Sequence, residues 1–127
     1  MTRKFAIFPS ILLAASLLAP VGASAHGAAE PQYGGVVQTA ADLSFELVST
    51  ATGVAVYVLD HNKGYDASNM AGRITVLSGA QKSEAELKFA GGNKLEATGV
   101  KVGKGAKAVV VVTGNNSTPI TVRFTVK

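Results

Sequence analysis

The stretch that decides the fold is residues 53–70, GVAVYVLDHNKGYDASNM. Valine at every second position alternates here with alanine, tyrosine and leucine, so both faces of the segment are apolar as far as residue 59. A short run of β-branched and aromatic residues that is apolar on both faces is typical of a central, fully covered strand. The composition then turns polar within one residue, at DHNKG (residues 60–64). The sequence therefore predicts a rigid strand that delivers a histidine, between a carboxylate and an amide, to one end of a sheet.

Period-two alternation continues on both sides of this strand. Apolar and polar residues alternate over residues 42–49, 84–89 and 119–127, and a continuous apolar run covers residues 109–112. Glycine- and asparagine-rich turn signals separate these runs. We therefore predict an all-β fold, either an antiparallel sandwich or a barrel, and favour a single antiparallel Ig-like/Greek-key β-sandwich of about 7–8 strands. Twelve residues are assigned to its core: Leu43, Phe45, Leu47, Val56, Val58, Ile74, Val76, Leu87, Phe89, Val110, Val122 and Phe124. In the alternating segment of residues 42–49, the face opposite the core carries Asp42, Ser44 and Glu46.

The first 25 residues have the features of a signal peptide. Arg3 and Lys4 precede an apolar run over residues 5–19, and ASA at residues 23–25 is a small-residue cleavage site. The apolar run is too short and too interrupted for a convincing membrane span, so no stable membrane insertion is expected after cleavage. Cleavage after residue 25 makes His26 the first residue of the mature chain, and cleavage after residue 23 is the alternative.

Three regions are thus predicted along the chain. They are a cleaved signal peptide (1–25), an extended N-terminal arm (26–33) and a β-sandwich domain (34–127), and the expected location is the periplasm. Removal of 25 residues from the 127 leaves 102, which is enough for one domain with its own core.

The composition argues against several classes of function. The chain has no cysteine, which excludes disulfides, thiolate metal sites and cysteine catalysis. The net charge of +4 falls to +2 when Arg3 and Lys4 are removed, and the lysines are scattered, so no nucleic-acid partner is expected. No catalytic Ser-His-Asp spacing and no phosphate-binding glycine motif is visible. We predict that the protein is not an enzyme.

The chain has two histidines, His26 and His61, and both are candidate metal ligands. The α-amine and Nδ1 of an N-terminal histidine can chelate one ion, and their ordinary pKa values of about 7.7–8.0 and 6.5 leave both available near neutral pH. Nitrogen ligands favour Cu(II), so copper is the metal ion that we expect to be bound. His61 would supply a third nitrogen, with Asp60 or Asp66 as an oxygen ligand or as a group that orients a histidine. Met70, in the same loop, would suit Cu(I) instead.

Each of these residues also has a plainer interpretation. His61 is an ordinary turn residue, with Asp60 capping the bend, and Met70 is a hydrophobic plug beneath a long loop. The arm of residues 26–33 can span up to about 25 Å, and we expect metal binding to order it. The alternative function is a non-enzymatic module that contacts another envelope protein, such as a component of an efflux system, through its sheet or the 61–71 loop.

Two sets of motifs resemble known periplasmic proteins. The ASA ending before His26, and the final strand STPI…FTV (residues 117–126), resemble the copper-resistance (CopC-like) proteins. That resemblance implies a β-sandwich that binds Cu(II) through its N-terminal histidine, a second histidine and an aspartate. The family places the second histidine directly before the proline of the last strand, where this chain has Thr118, so that ligand does not carry over.

A second resemblance covers most of the predicted mature chain. The segments PQYGGVV (31–37), DLSFEL (42–47) and YVLDH (57–61) are similar to small periplasmic proteins associated with heavy-metal efflux and to β-domains of efflux adaptor subunits. It implies a role in periplasmic metal handling and contains no catalytic motif.

Overall fold

The computed structural model describes residues 29–114 and 118–127. The predicted signal peptide and His26 lie outside this range. The described chain contains nine β-strands: β1 (Val36–Ala40), β2 (Leu43–Ser49), β3 (Gly53–Asp60), β4 (Lys63–Gly64), β5 (Ala71–Ser78), β6 (Gln81–Phe89), β7 (Lys94–Thr98), β8 (Lys107–Thr113) and β9 (Ile120–Thr125). A search of the same residues finds no helix with the length and apolar character to cross a membrane.

All strand pairs are antiparallel, and the strands follow the order β1-β2-β3-β7-β6-β5-β8-β9, with the short β4 paired to the end of β3. β3 lies beside β7, and β8 lies beside β5, on either side of the β5–β6–β7 meander, which is Greek-key connectivity. The prediction of an all-β antiparallel fold is confirmed.

One strand joins the two halves of the structure into a single sheet. β6 pairs with β5 over residues 81–87 and with β7 through Lys88 and Phe89. The end strands β1 and β9 lie side by side without ladder hydrogen bonds between them. The sheet therefore curls almost into a barrel around one core, where the sequence had suggested a sandwich.

The prediction that β3 is a fully covered central strand is confirmed. Val56 and Val58 are completely buried on the core face, and Ala55 and Leu59 are only 1% exposed on the opposite face. β2 and β7 pair with β3 on either side, so its backbone hydrogen bonds are also satisfied.

Ten of the twelve residues assigned to the core are buried. Leu43 is half-buried and packs against the core. Phe89 is the error: its side chain is 44% exposed. It is the last residue of β6, where the strand has changed its partner from β5 to β7, and its ring is only partly covered there.

The first prediction compares two phenylalanines. Phe45→Ala should lower the free energy of unfolding by about 3–5 kcal/mol, because it removes a fully buried ring from the core. Phe89→Ala, the matched control, should cost less than about 1 kcal/mol, because its ring is already partly in water. Urea unfolding of both variants measures the difference. Equal losses would contradict the assignment of inner and outer faces.

Candidate functional site

His61 occupies the tip of the β3–β4 hairpin. Asp60 pairs with Lys63 at the base of the turn, and the two turn residues, His61 and Asn62, have positive φ angles of 49° and 66°. Two consecutive positive φ angles are the pattern of a type I′ hairpin turn, in which asparagine is common and histidine is tolerated. The His61 side chain is 91% exposed. The strand therefore holds the imidazole in solvent at a fixed end of the sheet.

The Asp60 carboxylate orients this imidazole. Asp60 Oδ1 lies 2.6 Å from His61 Nδ1. An ionised carboxylate can only accept a hydrogen bond, so this contact suits the imidazole tautomer with its proton on Nδ1, which leaves the lone pair on Nε2. Metal-ligating histidines commonly donate their other ring N–H to a carboxylate, a backbone carbonyl or water, and the Asp60 contact is of the first kind. Of the two predicted roles for Asp60, the structure shows this orienting contact.

The described part of the N-terminal arm is held by a buried glutamate that the sequence reasoning missed. Glu46 has no exposed surface. Its Oε1 accepts a hydrogen bond from the backbone N–H of Gln32 at 2.7 Å, and its Oε2 accepts from Tyr33 and Gly35 at 2.8 and 2.9 Å. Gly34, with a positive φ of 76°, bends the chain so that these N–H groups converge on one carboxylate.

An aromatic stack covers this anchor. Tyr57 is the cross-strand partner of Glu46, and the Tyr33 ring stacks on the Tyr57 ring with centroids 3.6 Å apart and an interplanar angle of 5°. The alternating sequence pattern placed Glu46 on the face of β2 that points away from the core, which is correct. The arm covers this face at Glu46, so the glutamate is buried there instead of exposed. Protein contacts hold Gln32 and Tyr33 at this end of the arm, and ordering of the rest of the arm by a metal ion stays a prediction.

The arm is also tied to the hairpin that carries His61. Gln32 Nε2 donates a hydrogen bond to the carbonyl oxygen of Asn62 at 3.1 Å. Further toward the N-terminus, residues 29–31 line a surface groove of about 700 Å³, together with Val126 and Lys127 near the end of the chain. His26 lies three positions before residue 29, the first described residue, a reach of at most about 11 Å.

The other two predicted site residues, Asp66 and Met70, lie elsewhere. Asp66 Oδ1 accepts a hydrogen bond from the Ser68 backbone N–H at 2.9 Å, closing a small turn. Hydrogen bonds from the Ser68 backbone and side chain lower the pKa of Asp66, so this turn is favoured at neutral pH and is lost as the pH falls through the lowered value. Met70 is 6% exposed and packs in the core, as in its plainer interpretation.

The predicted ligands therefore separate into two places. Asp60 and His61 form a pair at the hairpin tip, whereas Asp66 and Met70 line a cavity whose lining does not include that pair. Residues 29–114 and 118–127 contain no group of three or more histidine, cysteine or acidic side chains that could hold a metal ion. Metal binding by these residues stays a prediction, and it depends on His26, which is outside the described residues.

No protein-family model matches this chain, and no curated protein or solved structure matches it. The resemblances to copper-resistance and efflux-associated proteins therefore stay predictions.

The second prediction tests the buried anchor. Glu46→Ala should lower the free energy of unfolding by about 1–3 kcal/mol, because the N–H groups of residues 32, 33 and 35 lose their acceptor. It should also weaken the near-ultraviolet circular dichroism of the Tyr33–Tyr57 stack, because the arm is released from the sheet.

The control is Glu86→Ala, which removes an exposed glutamate from β6. Removal of this side chain should change stability by less than about 0.5 kcal/mol and leave the aromatic signal intact. A Glu46→Ala protein with unchanged stability and an unchanged tyrosine signal would show that the arm is held by other contacts.

Proposed function

We propose that the protein is a periplasmic copper-binding protein of metal resistance or homeostasis. In this proposal Cu(II) is held by the α-amine and imidazole of His26, with His61 as the third nitrogen and Asp60 as the residue that orients it. The main support is the Asp60–His61 pair, because its 2.6 Å contact leaves Nε2 as an exposed nitrogen ligand on a rigid hairpin. Imidazole and amine nitrogens are ligands that Cu(II) prefers.

The course of the arm supplies a second line of support. Glu46 fixes Gln32 by its backbone, and the Gln32 side chain bonds to the carbonyl of Asn62, next to His61. The arm therefore touches the hairpin at Gln32. Residues 29–31 continue along the groove that Val126 and Lys127 also line, and His26 lies three positions further on, a reach of at most about 11 Å.

The third prediction is a copper titration of the exported protein, after mass spectrometry has established its first residue. A chain that begins at His26 should bind one Cu(II). A variant with an added methionine before His26 should bind far more weakly. The His26 nitrogen is then part of a peptide bond, so it can no longer close the chelate ring with Nδ1 as a free amine. Binding should weaken as the pH falls through about 6, where protons compete for the imidazole and amine nitrogens.

Two hairpin variants test whether His61 itself binds copper or whether any change in the hairpin affects binding. His61→Ala should weaken Cu(II) binding by about 10–100-fold, in the range found for losses at metal sites. Lys63→Ala, the control in the same hairpin, should leave the affinity unchanged, because its side chain is exposed and is not a proposed ligand. The proposal fails if the mature chain starts at another residue, or if copper affinity is indifferent to the added methionine.

A second candidate function is a binding module for another envelope protein. It is favoured by the exposed Phe89 ring, which lies at the junction of β6 and β7 beside the aliphatic Ala85 and Ala90. A partner captured from envelope extract through this surface should be retained after chelation and after loss of both histidines. Loss of that partner in Phe89→Ser would support this function, and retention of the partner would count against this surface.

A further inference from the structure

A cavity at one end of the barrel has the size of a small-molecule site. It lies between the β1–β2 turn, residues 65–70 and the beginning of β9, and its volume is about 560 Å³. Small-molecule pockets are typically about 300–1,000 Å³ and often occur at the mouths of barrels. Neither Asp60 nor His61 lines the cavity, so it is separate from the proposed copper site.

The loop that forms one wall is fixed by backbone hydrogen bonds. The N–H of Tyr65 donates to the carbonyl of Val58 in β3 at 3.0 Å, and the N–H of Ala67 donates to Gly92 at 3.0 Å. Met70 N–H donates to the Ala67 carbonyl at 2.9 Å, which closes the loop on itself. A wall held in this way loses little conformational entropy when a ligand binds.

The lining combines an apolar floor with a single negative charge. Met70 is nearly fully buried at the floor, and the half-buried side chains of Leu43 and Ile120 lie beside it. Asp66 is the one carboxylic acid among the described lining residues, and no lysine or arginine is among them. Such a lining favours an apolar body that carries one positive charge, and it disfavours anions.

The Asp66 carboxylate has capacity for such a ligand. Its hydrogen bonds to the backbone and side chain of Ser68 use part of its acceptor capacity, because a carboxylate offers about four lone-pair sites. These bonds also fix the direction of the carboxylate at the rim. A charged N–H donor that reaches this rim would form a charge-assisted hydrogen bond.

We propose that this cavity binds small organic cations in which a protonated amine is attached to a compact apolar or aromatic body. The ammonium group bonds to Asp66 at the rim, and the apolar body packs on Met70, Leu43 and Ile120. The proposal is independent of copper binding, and the two can fail separately.

The experiment is an NMR titration that uses Met70 as the reporter. The chain has only two methionines, Met1 and Met70, so a ¹³C-methyl methionine label gives at most two signals, and Met70→Leu assigns them. The probes are benzylammonium, benzyl alcohol and benzoate, all with EDTA present to remove metal. Benzylammonium should shift the Met70 methyl signal at the lowest concentration and benzoate at the highest.

A matched pair of charge variants tests the role of Asp66. Asp66→Asn keeps an oxygen that can accept the Ser68 N–H, so the loop is retained while the charge is lost. It should weaken benzylammonium binding by about three- to tenfold and leave benzyl alcohol binding unchanged. Asp42→Asn changes the net charge equally, in the adjoining β1–β2 turn but outside the cavity lining, and should leave both affinities unchanged.

Three results would overturn the proposal. They are the absence of any shift of the Met70 methyl signal at millimolar probe, a benzylammonium affinity no higher than that of benzyl alcohol, and equal effects of Asp66→Asn and Asp42→Asn.

Discussion

The buried carboxylate of Glu46 is the constraint on which much of this structure depends. Burial of a charge costs several kcal/mol unless hydrogen bonds replace the lost water. Both Glu46 oxygens accept backbone N–H groups from residues 32, 33 and 35, so the glutamate and the arm satisfy each other. The docked arm satisfies the buried carboxylate, and the carboxylate holds the arm through three backbone N–H groups.

The docked arm covers part of the outer face of the central strand. The core face of β3 packs inside the barrel, and its opposite face would otherwise meet solvent. Tyr33 stacks on Tyr57 there, and Ala55 and Leu59 on the same face are almost fully buried. The two-sided apolar pattern of residues 53–59 is thus matched by one layer from the barrel interior and a second layer on its outer face.

The sequence was a good guide to the strands and a poor guide to what covers them. Period-two alternation depends on neighbours in the chain, and it located β2, β3 and most of the core. Burial of Glu46 depends on a segment more than ten residues away, and nothing within β2 distinguishes this glutamate from a solvent-facing one. Exposure of Phe89 likewise depends on the change of partner along β6. Both errors arise from tertiary contacts that a local pattern does not contain.

The candidate site was predictable only where it depends on residues that are neighbours in the chain. Asp60 and His61 are adjacent in sequence, and the end of a rigid strand was enough to predict an exposed, oriented imidazole. Asp66 and Met70 are close to them in sequence, but backbone hydrogen bonds from Tyr65 and Ala67 draw that part of the loop to the mouth of the barrel. The sequence prediction grouped these four residues because they are close in the chain. In the fold, Asp60 and His61 lie at the hairpin tip, whereas Asp66 and Met70 line the cavity.

This separation has a consequence for how the two ends of the loop could act. The hairpin tip presents one nitrogen to solvent, so it needs ligands from another segment to enclose an ion, and the arm is the segment already bonded to it through Gln32 and Asn62. The cavity, by contrast, has its apolar floor and its carboxylate in place within one fixed loop and the strands beside it. A metal ion at the tip would therefore need ligands from another part of the chain, whereas the cavity wall already brings apolar groups and a carboxylate together.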